Sequence, residues 1–424
     1  MRRARLWLMV VVALSLVLAT GCAEKETNPF DPSQDPDAPV VTDFSYSDGV
    51  ATWTTDEPAL CVLEYAPTDG EYRNYVYEST KTHSESHRVT LLGMEDGQTY
   101  QFRIRSLDRA GNEDYRTNVA LPDDALGTAF TDLTMRLSVI DVGWGLSMVL
   151  ETPGGAHVMI DSGADHHLDD VEGFLYDHDI TYLDYAIISH YHADHYGGYA
   201  EDGGILDSFW VGEFIAPDTT HALMSMPTSL REKLDARNID VNYAYEGDDS
   251  WNRSLFNWDD TPGFFVRVLS AGIGTQFITD PDMLPEDVEG NNDSIVMRVT
   301  FGDVSFLPSA DAEFFVEHHI VNTFGRAAVR ADVLQAGHHG NDDATSEFWL
   351  DNVDPRIGLI SNAIIEAPLT KEVVLQNLRA VDADYFATDR IIPNTPRDAD
   401  PHYGHLIAVT DGESIEVMTE DHEW

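Results

Sequence analysis

The stretch IISHYHADHYGG, residues 187–198, sets His190, His192, Asp194 and His195 within six positions. The residues leading into it, DYAIISH, have the length and apolar content of a buried strand, so the cluster stands where a strand gives way to a loop. A His-x-His pair leaving a strand can point two imidazoles into one cleft, and the Asp and His that follow can reach its far side. Four donors in six residues suit two adjacent metal ions better than one. Imidazole nitrogen and carboxylate oxygen favour zinc, manganese or iron, and no cysteine lies nearby to make a structural thiolate site.

A two-metal site needs further ligands, and these stand at the ends of later apolar runs. Asp311 closes VSFLPSAD, and His338 and His339 close ADVLQAGHHG. Several strand ends meeting on one rim is how a rigid sheet carries an active site. From Met135 onward, apolar strands (MRLSVIDVG, SMVLETP, HVMIDSG, FFVRVLSAG, SIVMRVTFG, RIGLISNA) alternate with helical patterns (DDVEGFLYDHDI, ALMSMPTSLREKLDARN, LTKEVVLQNLRAV). This half of the chain is therefore expected to be α/β.

The preceding part reads differently. Residues 40–131 carry short alternating runs separated by turn residues, such as VATWTTD, ALCVLEYAP and TYQFRIRSLD, which suits a β-sandwich. Cys61 in ALCVLEY is expected to be a small buried hydrophobe, and His83 and His87 read as lone surface histidines. Residues 23–39 are polar and proline-rich, a tether that cannot bury enough apolar surface to fold. Residues 1–22 open with Arg2, Arg3 and Arg5, followed by a short apolar run, the pattern of an export signal. With only Cys22 and Cys61 present, acylation of Cys22 would leave no intrachain disulfide.

Four resemblances sharpen these readings. HYHADH matches the HxHxDH signature of the metallo-β-lactamase superfamily, hydrolases built as an αββα sandwich. The segments SVIDVGWGLSMVLETPGGAHVMIDSG, NNDSIVMRVTFGDVSFLPSAD and DVLQAGHHGNDDATSEFWL resemble the hydrolase domain of ComEC-like competence proteins, over Met135 to Trp424. HRVTLLGMEDGQTYQFRIRSLDRAGNE is similar to fibronectin type III domains, which implies a corner hydrogen bond from Tyr100. LATGC resembles the lipobox of bacterial lipoproteins, which implies lipidation of Cys22 and a membrane-anchored protein of the bacterial cell envelope, the alternative being a secreted one.

The superfamily resemblance implies two divalent metal ions, zinc or manganese, held by His190, His192, Asp194, His195, Asp311 and His338. Asp311 would bridge the ions, Asp194 would serve catalysis by a bridging hydroxide, and Asp161 in MIDSG would steady the histidine loop. Asn292, Ser294 and His339 are candidates to touch substrate. The chain departs from the family pattern at DVGWGL, where Trp144 and Leu146 replace polar residues, and at Asn292, Ala367 and Ser309.

By the same resemblance the bond cut is a phosphodiester; a lactone, a lactam or another ester is the alternative. From a different class, the chain would be a surface binding protein whose sandwich does the work beside a vestigial hydrolase domain. Charge bears on the substrate. With 75 Asp and Glu against 25 Lys and Arg, the chain carries −50, which repels polyanions over a Debye length of about 8 Å. Nucleic acid is disfavoured unless arginines such as Arg326, Arg330 or Arg397 form a local patch.

Overall fold

The computed structural model describes residues 37–47, 49–68, 70–94, 98–117, 133–277, 290–362, 370–389 and 404–420. The export signal with Cys22, most of the tether, Ala367 and Arg397 lie outside the described residues. No helix among the described residues is long and apolar enough to cross a membrane.

The N-terminal part is all β. Its strands are β1 (Val41–Ser47), β2 (Val50–Pro67), β3 (Asn74–Glu78), β4 (Ser84–Thr90), β5 (Tyr100–Leu107) and β6 (Glu113–Thr117). The long β2 serves two layers. Its first half pairs with β1 and β4, and its second half, Leu60–Pro67, pairs with β5 and in part with β3. Trp53, Cys61, Leu63, Tyr65, Val89, Phe102 and Ile104 fill the space between. Tyr100 packs edge-on against Tyr65 at 5.4 Å.

The rest forms two facing sheets. One contains β7 (Met135–Val139), β8 (Ser147–Glu151), β9 (His157–Ser162), β10 (Tyr182–Ile187), β11 (Trp210–Pro217) and β12 (Val241–Ala244). The other contains β13 (Phe264–Ser270), β14 (Val296–Phe301), β15 (Val304–Leu307), β16 (Val333–Gln335), β17 (Ile357–Ile360) and β18 (Asp384–Ala387). The last strands, β19 (His405–Thr410) and β20 (Ser414–Glu420), return to the first sheet beside β7.

Alternation along each strand makes the layers. In β9, Val158 and Ile160 enter the core between the sheets while Met159 faces outward. The outward face is covered by α1 (Leu168–Asp177), α2 (Ala193–Ala200), α3 (Ile205–Ser208) and α4 (Thr228–Arg237), through Val171, Phe174, Tyr199, Ile205 and Leu230. The second sheet is covered by α5 (Phe314–Phe324), α6 (Arg326–Val329), α7 (Glu347–Val353) and α8 (Glu372–Ala380), through Val316, Val329, Trp349 and Leu378. The layer order is helix, sheet, sheet, helix.

The helix expected over ALMSMPTSLREKLDARN begins only at Thr228. Pro227 precedes it in extended geometry, and a residue before proline is kept out of the helical region, so the stretch ahead of it is loop.

Residues 40–131 and 135–424 read from the sequence as two units, and the fold joins them. β20 pairs antiparallel with β3, from Ser414↔Glu78 to Met418↔Asn74, making one continuous fourteen-stranded sheet. Val62 and Tyr77 from the N-terminal strands enter the core between the two facing sheets. Left alone, β20 would present an edge of unpaired backbone groups, which β3 covers. The seam is also polar: the buried Glu416 carboxylate accepts from Leu92 N (2.6 Å), Gly93 N (3.1 Å) and the Tyr65 hydroxyl (2.5 Å). Arg356, 5% exposed, donates to the carbonyls of Glu78, Thr80 (3.1 Å) and Cys61 (3.4 Å), and Arg105 pairs with Asp384.

His87 is not a surface residue. It faces Trp53 across the β2/β4 ladder and stacks on it at 5.3 Å, with Nδ1 3.1 Å from Glu78 and Nε2 3.3 Å from Thr55. Burial disfavours its charge, but bonds to Cys61 and Glu78 outweigh that and hold the imidazole up at about 9. Cys61 itself is buried, as its strand context predicts.

Candidate metal centre

Strand direction brings the candidate residues together. β9, β10 and β11 are parallel, as are β15, β16 and β17, so their C-terminal ends open on one rim, where α/β sheets carry their ligands. Asp161 ends β9, His190 to His195 follow β10, Asp311 follows β15, and His338 and His339 follow β16.

At the centre, Asp194, His195, Asp311 and His339 each present a donor atom, all within 4.8 Å of one another, and all four are buried. His195 Nε2 is 3.0 Å from Asp311 Oδ2 and 3.8 Å from Asp194 Oδ2. His339 Nε2 is 3.4 Å from Asp194 Oδ2 and 3.5 Å from Asp311 Oδ2. Beside them, His190 Nε2 lies 3.9 Å from Asp311 Oδ2 and 3.1 Å from His192 Nδ1.

Behind these donors stands Asp161. Its Oδ2 is 2.7 Å from His195 Nδ1, and it accepts from Ser189 N (2.7 Å) and Ser189 Oγ (2.6 Å). One carboxylate therefore fixes both the ring of His195 and the backbone that launches His190, the pattern by which outer residues orient metal ligands. Asp311 is held through its N–H, which donates to Ser294 Oγ at 3.3 Å. Asp194 is buttressed by the DVGWG loop: Leu146 N donates to its carbonyl at 3.1 Å, and a Cβ on Gly145 (φ 134°) would stand 2.4 Å from that oxygen.

The HHG turn sends its two histidines to different neighbours. His339, and not His338, enters the four-donor set. Both residues have left-handed backbone, φ 47° and 56°, and two such residues in succession send neighbouring side chains apart. His338 Nδ1 lies 2.8 Å from Asp343 Oδ1 and its Nε2 3.4 Å from Asn291 Nδ2. Asn292 is fully buried and donates to Glu313 Oε2 at 2.5 Å. Asp161 (φ 60°) and Ala310 (φ 47°) are also left-handed, so backbone strain gathers around the donors, as it does at functional sites.

The charges suit a cation. Burial would raise the carboxyls of Asp194 and Asp311, yet His195 and His339 hold both below their ordinary value. Burial opposes charge on His195, but Asp311, Asp161 and Asp194 around it hold its imidazole well above the usual range. His190 is pushed well below by burial and by His195. Two buried carboxylates thus face the raised imidazole of His195, while Asp311 Oδ1 and His339 Nε2 are buried without a hydrogen-bond partner among the described residues. Orphaned buried donors of this chemistry fit a divalent ion of the zinc or manganese class.

Sequence reasoning missed Ser189, Glu313, Asp343 and Asp293. Asp293 accepts from Leu223 N, Met224 N and Gly274 N, drawing three loops together at the rim. Ser189 and Asp343 had a local signal, since each lies within five residues of a motif histidine.

No family profile matches the chain. It is similar to ComE operon protein 3 of Bacillus subtilis, 32% identical over 77 residues, covering 18% of this chain and 10% of that protein. Competence protein ComA of Neisseria gonorrhoeae is 23% identical over 256 residues, covering 60% of this chain and 31% of that protein. Recombination protein 2 of Haemophilus influenzae is 27% identical over 236 residues, covering 54% of this chain and 24% of that protein. The chain thus spans between a tenth and about a third of the length of these relatives. Among solved structures it is similar to the metallo-β-lactamase fold protein YhfI from Bacillus subtilis, with a TM-score of 0.35 and 10% identity, covering 59% of this chain and 95% of that one. It is also similar to a diphosphatase from the PhnP family, with a TM-score of 0.28 and 12% identity, covering 54% of this chain and 86% of that one. These scores are low, and the layer order described above rests on strand pairing and packing.

Proposed function

We propose that this chain is an exported, metal-dependent hydrolase that cuts phosphodiester bonds, anchored to the cell envelope through a lipidated Cys22. The observation that carries the hydrolase reading is the bracketing of His195 between Asp161 and Asp311 beside Asp194 and His339. Asp194, His195, Asp311 and His339 would hold one divalent ion, and His190 and His192, beside Asp311, would hold a second. When bound, such a pair would supply an activated water near neutral pH and positive charge against the leaving oxygen.

The chain's own residues set the conditions for that chemistry. Asp161 fixes the tautomer and aim of His195, Ser294 seats Asp311, and the Gly145 loop seats Asp194, so the donors are arranged before substrate arrives. Asp194, 3.4 Å from His339, would hold the ion and orient the attacking water by a hydrogen bond to its carboxylate. The relatives carry competence and recombination names, and a small or envelope phosphodiester is favoured here over long nucleic acid. Arg326 and Arg330 both lie near Asp354, at 3.6 and 3.4 Å, so their charge is partly spent within the fold. The N-terminal strands are read as a fibronectin III-like module that carries the catalytic half away from the membrane.

Full-length protein loaded with zinc or manganese tests the proposal on a chromogenic phosphodiester, a lactone and a lactam. Phosphodiester turnover abolished by His195→Ala is the expected result. Turnover of only the lactone or lactam would replace the substrate class, and turnover of none, with no metal bound, would leave a surface binding protein.

A further inference from the structure

A buried amide lies between the two turns that carry Asp311 and His339. β16 has three residues; Val333 enters the core between the sheets, and alternation puts Gln335 on the same face, one step nearer the rim. Gln335 is 1% exposed. Its Oε1 accepts from Ser309 N at 2.8 Å, and its Nε2 donates to the carbonyls of Ala310 (3.2 Å) and Ala336 (2.6 Å). Ser309 and Ala310 lead into Asp311, and Ala336 leads into the HHG turn, so one side chain bonds both donor loops. The loops are in close contact there: His338 N donates to the same Ala310 carbonyl at 3.1 Å, and a Cβ on Gly337 would stand 3.0 Å from the Ala312 carbonyl.

We propose that Gln335 is a positioning residue for the metal centre, setting the spacing of Asp311 from His339; this rests on the metal-binding reading of those donors. Its partners call for an amide. They present one N–H and two carbonyls, which a group with one acceptor and two donors satisfies at once, and they fix which end of the amide is oxygen. A carboxylate would face two carbonyl oxygens, an ammonium would leave Ser309 N without an acceptor, and an apolar side chain would serve none of the three.

The brace sits where the backbone needs it. Ala310 is left-handed (φ 47°), a conformation that costs free energy in a non-glycine residue and persists only where its surroundings hold it. Gln335 bonds the peptide entering Ser309 and the peptide linking Ala310 to Asp311, so it holds this turn just ahead of the carboxylate. Asp311 Oδ2 lies 3.5 Å from His339 Nε2. Without the brace the two donors can separate, and an ion that needs both is held less tightly although no direct ligand is lost.

Cobalt(II) titration of the full-length, metal-stripped protein tests this, with affinity read by competition with a chelator and donor geometry read by the visible absorption of the bound ion. Gln335→Met removes all three bonds at similar volume. Gln335→Glu keeps the shape and the acceptor for Ser309 N but loses the N–H donors, and carries the test should the first variant not fold. Each is expected to weaken cobalt binding by roughly 10–100-fold and to shift its absorption bands. Val333→Ala, which opens a cavity on the same face of the same strand, is expected to lower the thermal midpoint and leave affinity and bands unchanged. Folded Gln335 variants with wild-type affinity and bands would overturn the positioning role and leave the metal reading intact, as would bands shifted equally by Val333→Ala. Wild-type protein that takes up no cobalt would overturn the metal reading and this role with it.

Discussion

Nε2 of His339 lies 3.4 Å from Oδ2 of Asp194, although 145 positions separate them in the chain, and this pairing closes the donor set at the rim of the sheets. His339→Ala is therefore expected to weaken the ion beside Asp194 by more than about a hundredfold, since a lost direct ligand costs more than a lost supporting one. His338→Ala is expected to leave that ion in place. Competition with a chelator of known affinity separates the two variants, and equal loss in both would count against the assignment.

Asp161→Asn keeps the shape and tolerates the left-handed backbone at φ 60°, but removes the charge behind His195. Metal affinity is expected to fall by roughly 10–100-fold with the fold retained. Calorimetric titration with zinc reads this, and wild-type affinity would show that Asp161 supports the fold alone.

The seam makes a different claim. A fragment beginning at Met135 would expose the edge of β20 and strip Glu416 of Tyr65, Leu92 and Gly93. Such a fragment is expected to be insoluble, and proteolytic nicking between residues 118 and 132 is expected to leave the two pieces associated on a sizing column. Arg356→Ala, which leaves three carbonyls at the seam without their donor, is expected to cost about 3 kcal/mol in urea unfolding. A soluble, well-folded 135–424 fragment would show the halves to be independent.

Glu317 gives a pH dependence. It accepts from Thr345 N (2.5 Å), Ser346 N (3.2 Å) and Ser346 Oγ (2.5 Å), but burial outweighs these bonds and pushes its carboxyl up to about 7. A raised carboxyl contributes stability that is fully present below its ordinary value of 4.5 and is lost as pH rises through about 7. The loss amounts to roughly 3 kcal/mol when complete. Thermal midpoints from pH 5 to pH 8 are expected to fall more steeply in wild type than in Glu317→Gln, and parallel slopes would refute the assignment.

What the sequence determined is local. HYHADH follows a strand and carries its donors on consecutive loop residues, so the cluster and the strands feeding it are legible from alternation and spacing alone. Asp311 was legible for the same reason, since it closes the apolar run VSFLPSAD, whereas Asp161 entered only through the superfamily resemblance. The tertiary structure decided what depends on backbone hand and distant pairing. His338 and His339 are equivalent as letters, and only the left-handed turn at φ 47° and 56° sends one to Asp194 and the other to Asp343. His87 is polar in an alternating run, and only its register opposite Trp53 places it inside. The break near residue 131 is real in composition, yet β3 and β20, more than 330 residues apart, meet edge to edge because unpaired strand edges find partners wherever folding brings them close.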